Sequence, residues 1–234
     1  MIVISCGMPK SASSFVYLLT HEIVNTVSPR HLLKHDLPKH LQEHYLGDVS
    51  NNLDTLLAHI PSDQFYAIKT HQQIDHHIIK LLHENKVTGT ITYRDPYDVL
   101  VSMLDVGKKE RLKPKEEQRQ EFAVFETIEN VLDEIPNYIY GCSSWLAEAD
   151  NSPNILKFSY EMIKNNPRDV VEKIASSLGI EVDPHKILDK YLQDKSLIWE
   201  YNQGKSGRGY REITVPKEHP SVKLMDDFKR QYLS

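Results

Sequence analysis

At 234 residues, 40% of them hydrophobic, the chain can bury a substantial core and has the length of one domain spanning 1–234. A formal net charge of −5 excludes a general nucleic-acid or anionic-membrane binder, which presents a dominant basic face, so any anion site must be local. Two cysteines, Cys6 and Cys142, are too few for a disulfide framework. The start at Ile2-Val3-Ile4 lacks the charged and apolar regions of a signal peptide, and no apolar run has membrane-span length; together these features predict a soluble, cytoplasmic protein.

In chain order, a β-rich run at 2–5 (IVIS) feeds the polar turn GMPKSASSF (7–15) and then a helix whose Val16, Leu18, Leu19, Ile23 and Val27 leave it largely buried. Ser13 or Ser14 is placed to cap that helix. The turn directs backbone N–H groups and a helix N-terminus at one point, and Lys10 adds a full charge, which makes an anion site. It is not the usual nucleotide loop: G-x-x-x-x-G-K-[ST] needs its second glycine and lysine together at the helix entry, whereas Lys10 comes early and Ala12 stands where a glycine would. Residues 28–54 are polar and aperiodic and read as a mobile covering. Strands follow at 65–69 (FYAIK) and 87–93 (VTGTITY). After the latter, Asp95 is a natural N-cap with Pro96 at the first helical position. Residues 105–121 read as a second mobile covering, and the mixed-charge run 107–119 as a candidate lid over the site. A long helical stretch is expected from about 118 to 149, broken or bent near Pro136, with Phe122, Phe125, Ile128, Val131 and Leu132 as its apolar stripe. A strand at 155–158 (ILKF), a helix ending at Gly179 and a final helix from Ser221 complete the chain. This alternation predicts an α/β, P-loop-like three-layer fold: a central, mostly parallel sheet flanked by helices. Ligands collect at the carboxyl ends of such strands, which singles out four stretches: 7–15, 68–71 (IKTH), 93–102 (YRDPYDVLVS) and 202–212 (NQGKSGRGYRE).

Those stretches, taken together and in order, resemble the sulfotransferases that use 3′-phosphoadenosine 5′-phosphosulfate (PAPS), the cytosolic type in particular. Pro9-Lys10-Ser11-Ala12-Ser13-Ser14-Phe15 is similar to the family's PKSGTTW loop, and Arg94 to Ser102 keeps the spacing of its R-x-P-x-D-x-x-V-S. Lys69-Thr70-His71 resembles its K-T-H, and Phe158-Ser159-Tyr160-Glu161-Met162 its F-x-Y-E-D-M. The resemblance implies transfer of a sulfuryl group from PAPS, with its bisphosphate PAP as product, to a hydroxyl, or as second choice an amine, of a small molecule, lipid or sugar. Such transfer is in-line and rests on positioning and charge stabilisation. It assigns Lys10, the loop amides and the Ser13 and Ser14 hydroxyls to the 5′-phosphate, with Ser11, Ala12 and Phe15 in the same loop. Arg94 and Ser102 go to the 3′-phosphate, the site that separates PAPS from ATP. His71 is the base, Lys69 lends charge beside the transferring group, and Phe15 and Tyr160 contact adenine.

In the late loop, Asn202 and Gln203 replace the family's basic pair and Arg208 replaces an aspartate, so 3′-phosphate charge falls to Lys205, Arg208 or Arg211, with Ser206 and Gly207 beside them. Each stretch also has a plain reading: a helix cap for 7–15, a helix start with a surface ion pair for Arg94-Asp95-Pro96, a solvated basic turn for the late loop. Histidines 31, 35, 40 and 44 and the Asp75-His76-His77 cluster carry no zinc spacing, and no metal is expected. The alternatives are a P-loop small-molecule kinase and a non-catalytic nucleotide-binding module of the same fold.

Overall fold

The computed structural model describes residues 1–34, 37–198 and 205–233. Four strands, β1 (Ile2–Gly7), β2 (Tyr66–Thr70), β3 (Val87–Tyr93) and β4 (Ile155–Ser159), form an all-parallel sheet in the order β2-β1-β3-β4. Alternation along β1 sets the two faces. Ile2, Ile4 and Cys6 enter one apolar cluster and Val3 the other, so the sheet is buried on both sides, as parallel sheets are.

Helix α1 (Ser13–Asn25) follows β1; α2 (His76–His83) joins β2 to β3, and α3 (Pro96–Arg111) follows β3. They are followed by α4 (Ile128–Ala149), α5 (Pro167–Leu178), α6 (Pro184–Gln193) and α7 (Pro220–Tyr232). Helices α1, α5 and α6 cover the Val3 face, while α2, α4 and α7 cover the other, where Trp145 is fully buried. The chain leaves β1 in both directions, to β2 on one side and β3 on the other. The order therefore reverses between β1 and β3, and the crevice at their carboxyl ends is where ligands bind in such sheets.

Local chemistry explains where the elements end. Asp95 caps α3 by accepting from the Tyr97 N–H at 2.9 Å, with Pro96 at its first position, as expected. Gly179, left-handed at φ 65°, ends α5. The long helix expected from 118 is instead two: a short turn, Gln120–Ala123, and then α4. Thr127 and Asn130 form a capping box that starts α4 afresh, and the linker crosses α3 so closely that a Cβ on Gly107 would lie 2.1 Å from the Phe125 carbonyl oxygen. Pro136 does not interrupt α4. It removes the N–H that would bond the Leu132 carbonyl, and the Ser221 hydroxyl of α7 donates to that oxygen instead, at 2.7 Å.

The described residues of 28–54 are tied down rather than loose. Buried Arg30 lies over the Tyr66 ring and donates to the carbonyls of Ala67, Gln42 and Glu43. The segment also pairs with β2, through Lys69 N–H to His44 O (2.8 Å) and Leu46 N–H to Lys69 O (2.9 Å). Leu41, Val49 and Leu53 are fully buried. Its polar composition hid these anchors because backbone groups make most of them. The second covering is likewise partly helical, since α3 runs on to Arg111. Val27, expected in the core, lies beyond the end of α1 and is exposed.

Candidate active site

The turn after β1 bends sharply. A Cβ on Gly7 would overlap the Thr92 Oγ1 at 2.0 Å, so only glycine fits there. Lys10 and Ala12 both hold positive φ, 65° and 69°, a conformation that costs a non-glycine residue about 1–2 kcal/mol and is typical of functional loops. Neither Ser13 nor Ser14 caps α1: the cap position is Ala12, with no side-chain bond, and both serines stand inside the first turn facing a cavity. Ser11 is a further correction. Its hydroxyl is fully buried, reaching the Met8 carbonyl (2.5 Å) and Thr92 Oγ1 (2.7 Å), so it shapes the loop from within and is absent from the cavity wall.

That cavity, about 590 Å³, lies over the carboxyl ends of the strands. Lys10, Lys69, Lys164, Lys195 and Lys205 line it with Arg94, Arg119 and Arg208, against the single carboxylate of Glu121 among the described residues. In a chain of net charge −5, this is a local concentration of basic side chains. Ala12, Ser13, Ser14, Phe15, Ser102 and Tyr160 complete much of its wall.

His71, at the end of β2, is held at both ring nitrogens. Its Nδ1 lies 2.6 Å from the Gly7 carbonyl oxygen, which can only accept, so Nδ1 carries the proton and Nε2 keeps its lone pair. Lys69 Nζ, two residues back on the same face, lies 3.3 Å from that Nε2 and 5.5 Å from the Tyr45 ring centre. The Tyr45 ring packs 5.7 Å from the imidazole. Tyr138 of α4 lines the same cavity; burial pushes its hydroxyl up to about 12, so it stays a protonated donor at neutral pH.

Arg94 is buried under the first loop. Its Nη1 donates to the Lys10 carbonyl at 3.1 Å and its Nη2 to the Lys205 carbonyl at 2.6 Å, and its guanidinium covers one face of the Tyr160 ring at 3.8 Å. Tyr160 therefore has only its other face and its hydroxyl for a nucleotide, while Phe15 meets Tyr191 edge-on at 5.8 Å. The Arg94 Nε and Ser206 Oγ are buried without a partner among the described residues. The Asn202, Gln203 and Gly204 part of the late loop lies outside the described residues, as does His35. Of the remainder, Lys205 and Arg208 line the cavity, whereas Ser206 and Gly207 do not. Arg208 is not a spare cation: it bonds Asp105 (2.6 Å) and both Glu212 oxygens (2.8 and 2.7 Å). Arg211 is exposed and donates to the Ser206 carbonyl.

Both coverings contribute to the cavity, Tyr45 from the first and Arg119 and Glu121 from the second, with Phe122 just beyond it. Arg119 lies over the Phe122 ring and bonds Glu110, which Lys113 also reaches. Burial raises the Glu110 carboxyl, but the bonds from Arg119 and Lys113 outweigh it and bring it to about 2, from an ordinary 4.5. A depressed carboxyl stabilises the fold fully above its unfolded value, and that contribution fades as pH falls from about 4.5 towards 2. Glu110→Gln should therefore lower the unfolding midpoint at pH 7 and leave it nearly unchanged at pH 2, as read by thermal melts across that range. Sequence reading assigned no role to Tyr45, Tyr138, Arg119 or Asp98. Only Asp98 carried a signal, as the acid of the R-x-P-x-D pattern.

A family model described as the sulfotransferase domain matches residues 2–218. The chain belongs to the sulfotransferase domain family. No curated protein matches this sulfotransferase in sequence. Among solved structures, it is similar to retinol dehydratase in complex with retinol and PAP, at 17% identity over 100% of this chain and 81% of the other, with a TM-score of 0.62. It is also similar to mouse sulfotransferase SULT7A1 complexed with PAP, at 18% identity over 99% and 84%, with a TM-score of 0.57. At these identities the likeness establishes the fold, and the α/β sheet with flanking helices agrees with the expectation from sequence.

Proposed function

We propose that the chain transfers the sulfuryl group of PAPS to the hydroxyl of a small-molecule, lipid or sugar acceptor, as one catalytic domain over 1–234. The reading rests on one observation: cations from separate loops, Lys10 after β1 and Arg94 after β3, converge on the cavity that His71 also lines. Lys10 and the amides that open α1 take the 5′-phosphate; Arg94, Ser102 and Lys205 take the 3′-phosphate. The buried Arg94 Nε, without a partner among the described residues, supports a polar ligand at that end. His71 Nε2 accepts the hydroxyl proton as the acceptor oxygen bonds to sulfur. The bond from sulfur to the bridging phosphate oxygen breaks in line, and its electron pair leaves with PAP, whose new charge Lys10 neutralises. Tyr45 and Tyr138 give the wall an aromatic character that favours an acceptor with an apolar face. Two buried free thiols, Cys6 and Cys142, support a reducing, cytoplasmic setting.

The donor assignment is tested by thermal stabilisation. A bisphosphate at about a hundred times its dissociation constant should raise the midpoint by about 5–10 °C, and ATP at equal concentration far less. Equal shifts, or none from PAP, would overturn the donor.

A further inference from the structure

Asp98 lies on the first turn of α3, 2% exposed, and does not itself line the cavity. Its Oδ2 accepts the Gly207 N–H at 2.8 Å and its Oδ1 the Gly209 N–H at 2.9 Å. Both glycines are required for this. Gly207 is left-handed at φ 73°, and a Cβ on Gly209 would lie 2.4 Å from the Tyr97 carbonyl. Oδ2 also stands 3.6 Å from Arg94 Nη2, the group that donates to the Lys205 carbonyl. Residues 205–209 are thus fixed to the start of α3 at three points, two on Asp98 and one on Arg94. The carboxylate's charge is met by two N–H groups and a guanidinium, so it does not oppose an anion arriving nearby.

We infer that Asp98 is a positioning residue for nucleotide selectivity: it holds the late loop and Arg94 in their ligand-ready arrangement, and so sets how strongly a 3′-phosphate is preferred over a nucleotide lacking one. The inference rests on the donor reading above. Its advantage over a loose loop is preorganisation, since the ordering of Lys205 and Arg94 is complete before the ligand binds. In Asp98→Asn one oxygen is replaced by an NH₂ that faces a loop N–H, donor against donor, and Arg94 loses its counter-charge. Loop docking fails on that side.

The test is the ratio of dissociation constants for 5′-AMP and PAP, measured by titration calorimetry on the full chain. Asp98→Asn should reduce this ratio at least about tenfold, the equivalent of one lost charge-assisted bond, with 5′-AMP affinity changed less than about twofold. The acceptor KM, and kcat at saturating PAPS, should remain within a few-fold. Gly209→Ala, which lifts the loop off Tyr97 without touching a charge, should reproduce the selective loss and serves if the Asn variant does not fold. An unchanged ratio, tighter PAP binding, or equal weakening of both nucleotides, the signature of a purely structural role, would overturn the inference. If the wild type itself shows no preference for PAP over 5′-AMP, the donor reading fails first and the inference falls with it.

Discussion

His71→Ala is expected to lower kcat by about a thousandfold, within the range set by general-base catalysis, while the dissociation constant for PAP moves less than about twofold. The geometry separates the two effects. Nδ1 donates to the Gly7 carbonyl at 2.6 Å, which holds the ring and fixes the tautomer, and Nε2 lies 3.3 Å from Lys69 Nζ in a residue that lines the cavity. Of these contacts only the Gly7 carbonyl touches a loop proposed to hold the nucleotide, and it sits where that loop leaves β1, three residues before Lys10. Single-turnover transfer followed by mass spectrometry, with calorimetric PAP binding alongside, reads both quantities. The wild-type kcat should fall on the acidic side of its pH profile as the imidazole protonates, and the residual activity of the variant should lack that limb. Turnover near the wild-type rate in the variant would show that another group takes the proton.

Lys10→Met, close in volume but uncharged, is expected to reduce kcat by about 10²–10³ and to weaken PAP by a smaller factor. Charge on the bridging oxygen develops as the bond to sulfur breaks, so a cation placed there contributes more in the transition state than in the bound donor. The positive φ of Lys10, 65°, is retained by any unbranched side chain, which makes the substitution a change of charge more than of backbone. Steady-state kcat at saturating donor and acceptor, compared with the PAP dissociation constant, gives the split. Equal losses in the two would reduce Lys10 to a ground-state anchor.

Much of the site could be read along the chain, because its parts follow strands and have local causes. Arg94, just before α3, and Ser102, within it, reach one cavity, and the start of that helix is marked by Asp95 and Pro96. Lys69 and His71 share a strand face through the period of two. The errors have a common source. Ser11 was grouped with its neighbours as a ligand, yet its hydroxyl faces Thr92, a residue 81 positions away that only the pairing of β1 with β3 brings near. The helix expected across 118–149 divides because Phe125 packs on Gly107, again a contact between distant segments.

Strand and helix order, the turn proposed to bind an anion, and the pairing of a basic loop with a strand-end histidine follow from the order of residues alone, since hydrophobic period, caps and turn chemistry act within a few positions. Tertiary structure decided the rest: Arg208 spends its charge on Asp105 and Glu212, Arg30 holds the first covering to β2, and Asp98 ties the late loop to α3. A side chain's type states which bonds it can make. Which partner it meets depends on packing that joins residues more than a hundred positions apart, as Asp98 and Gly209 are joined, and no local pattern encodes that.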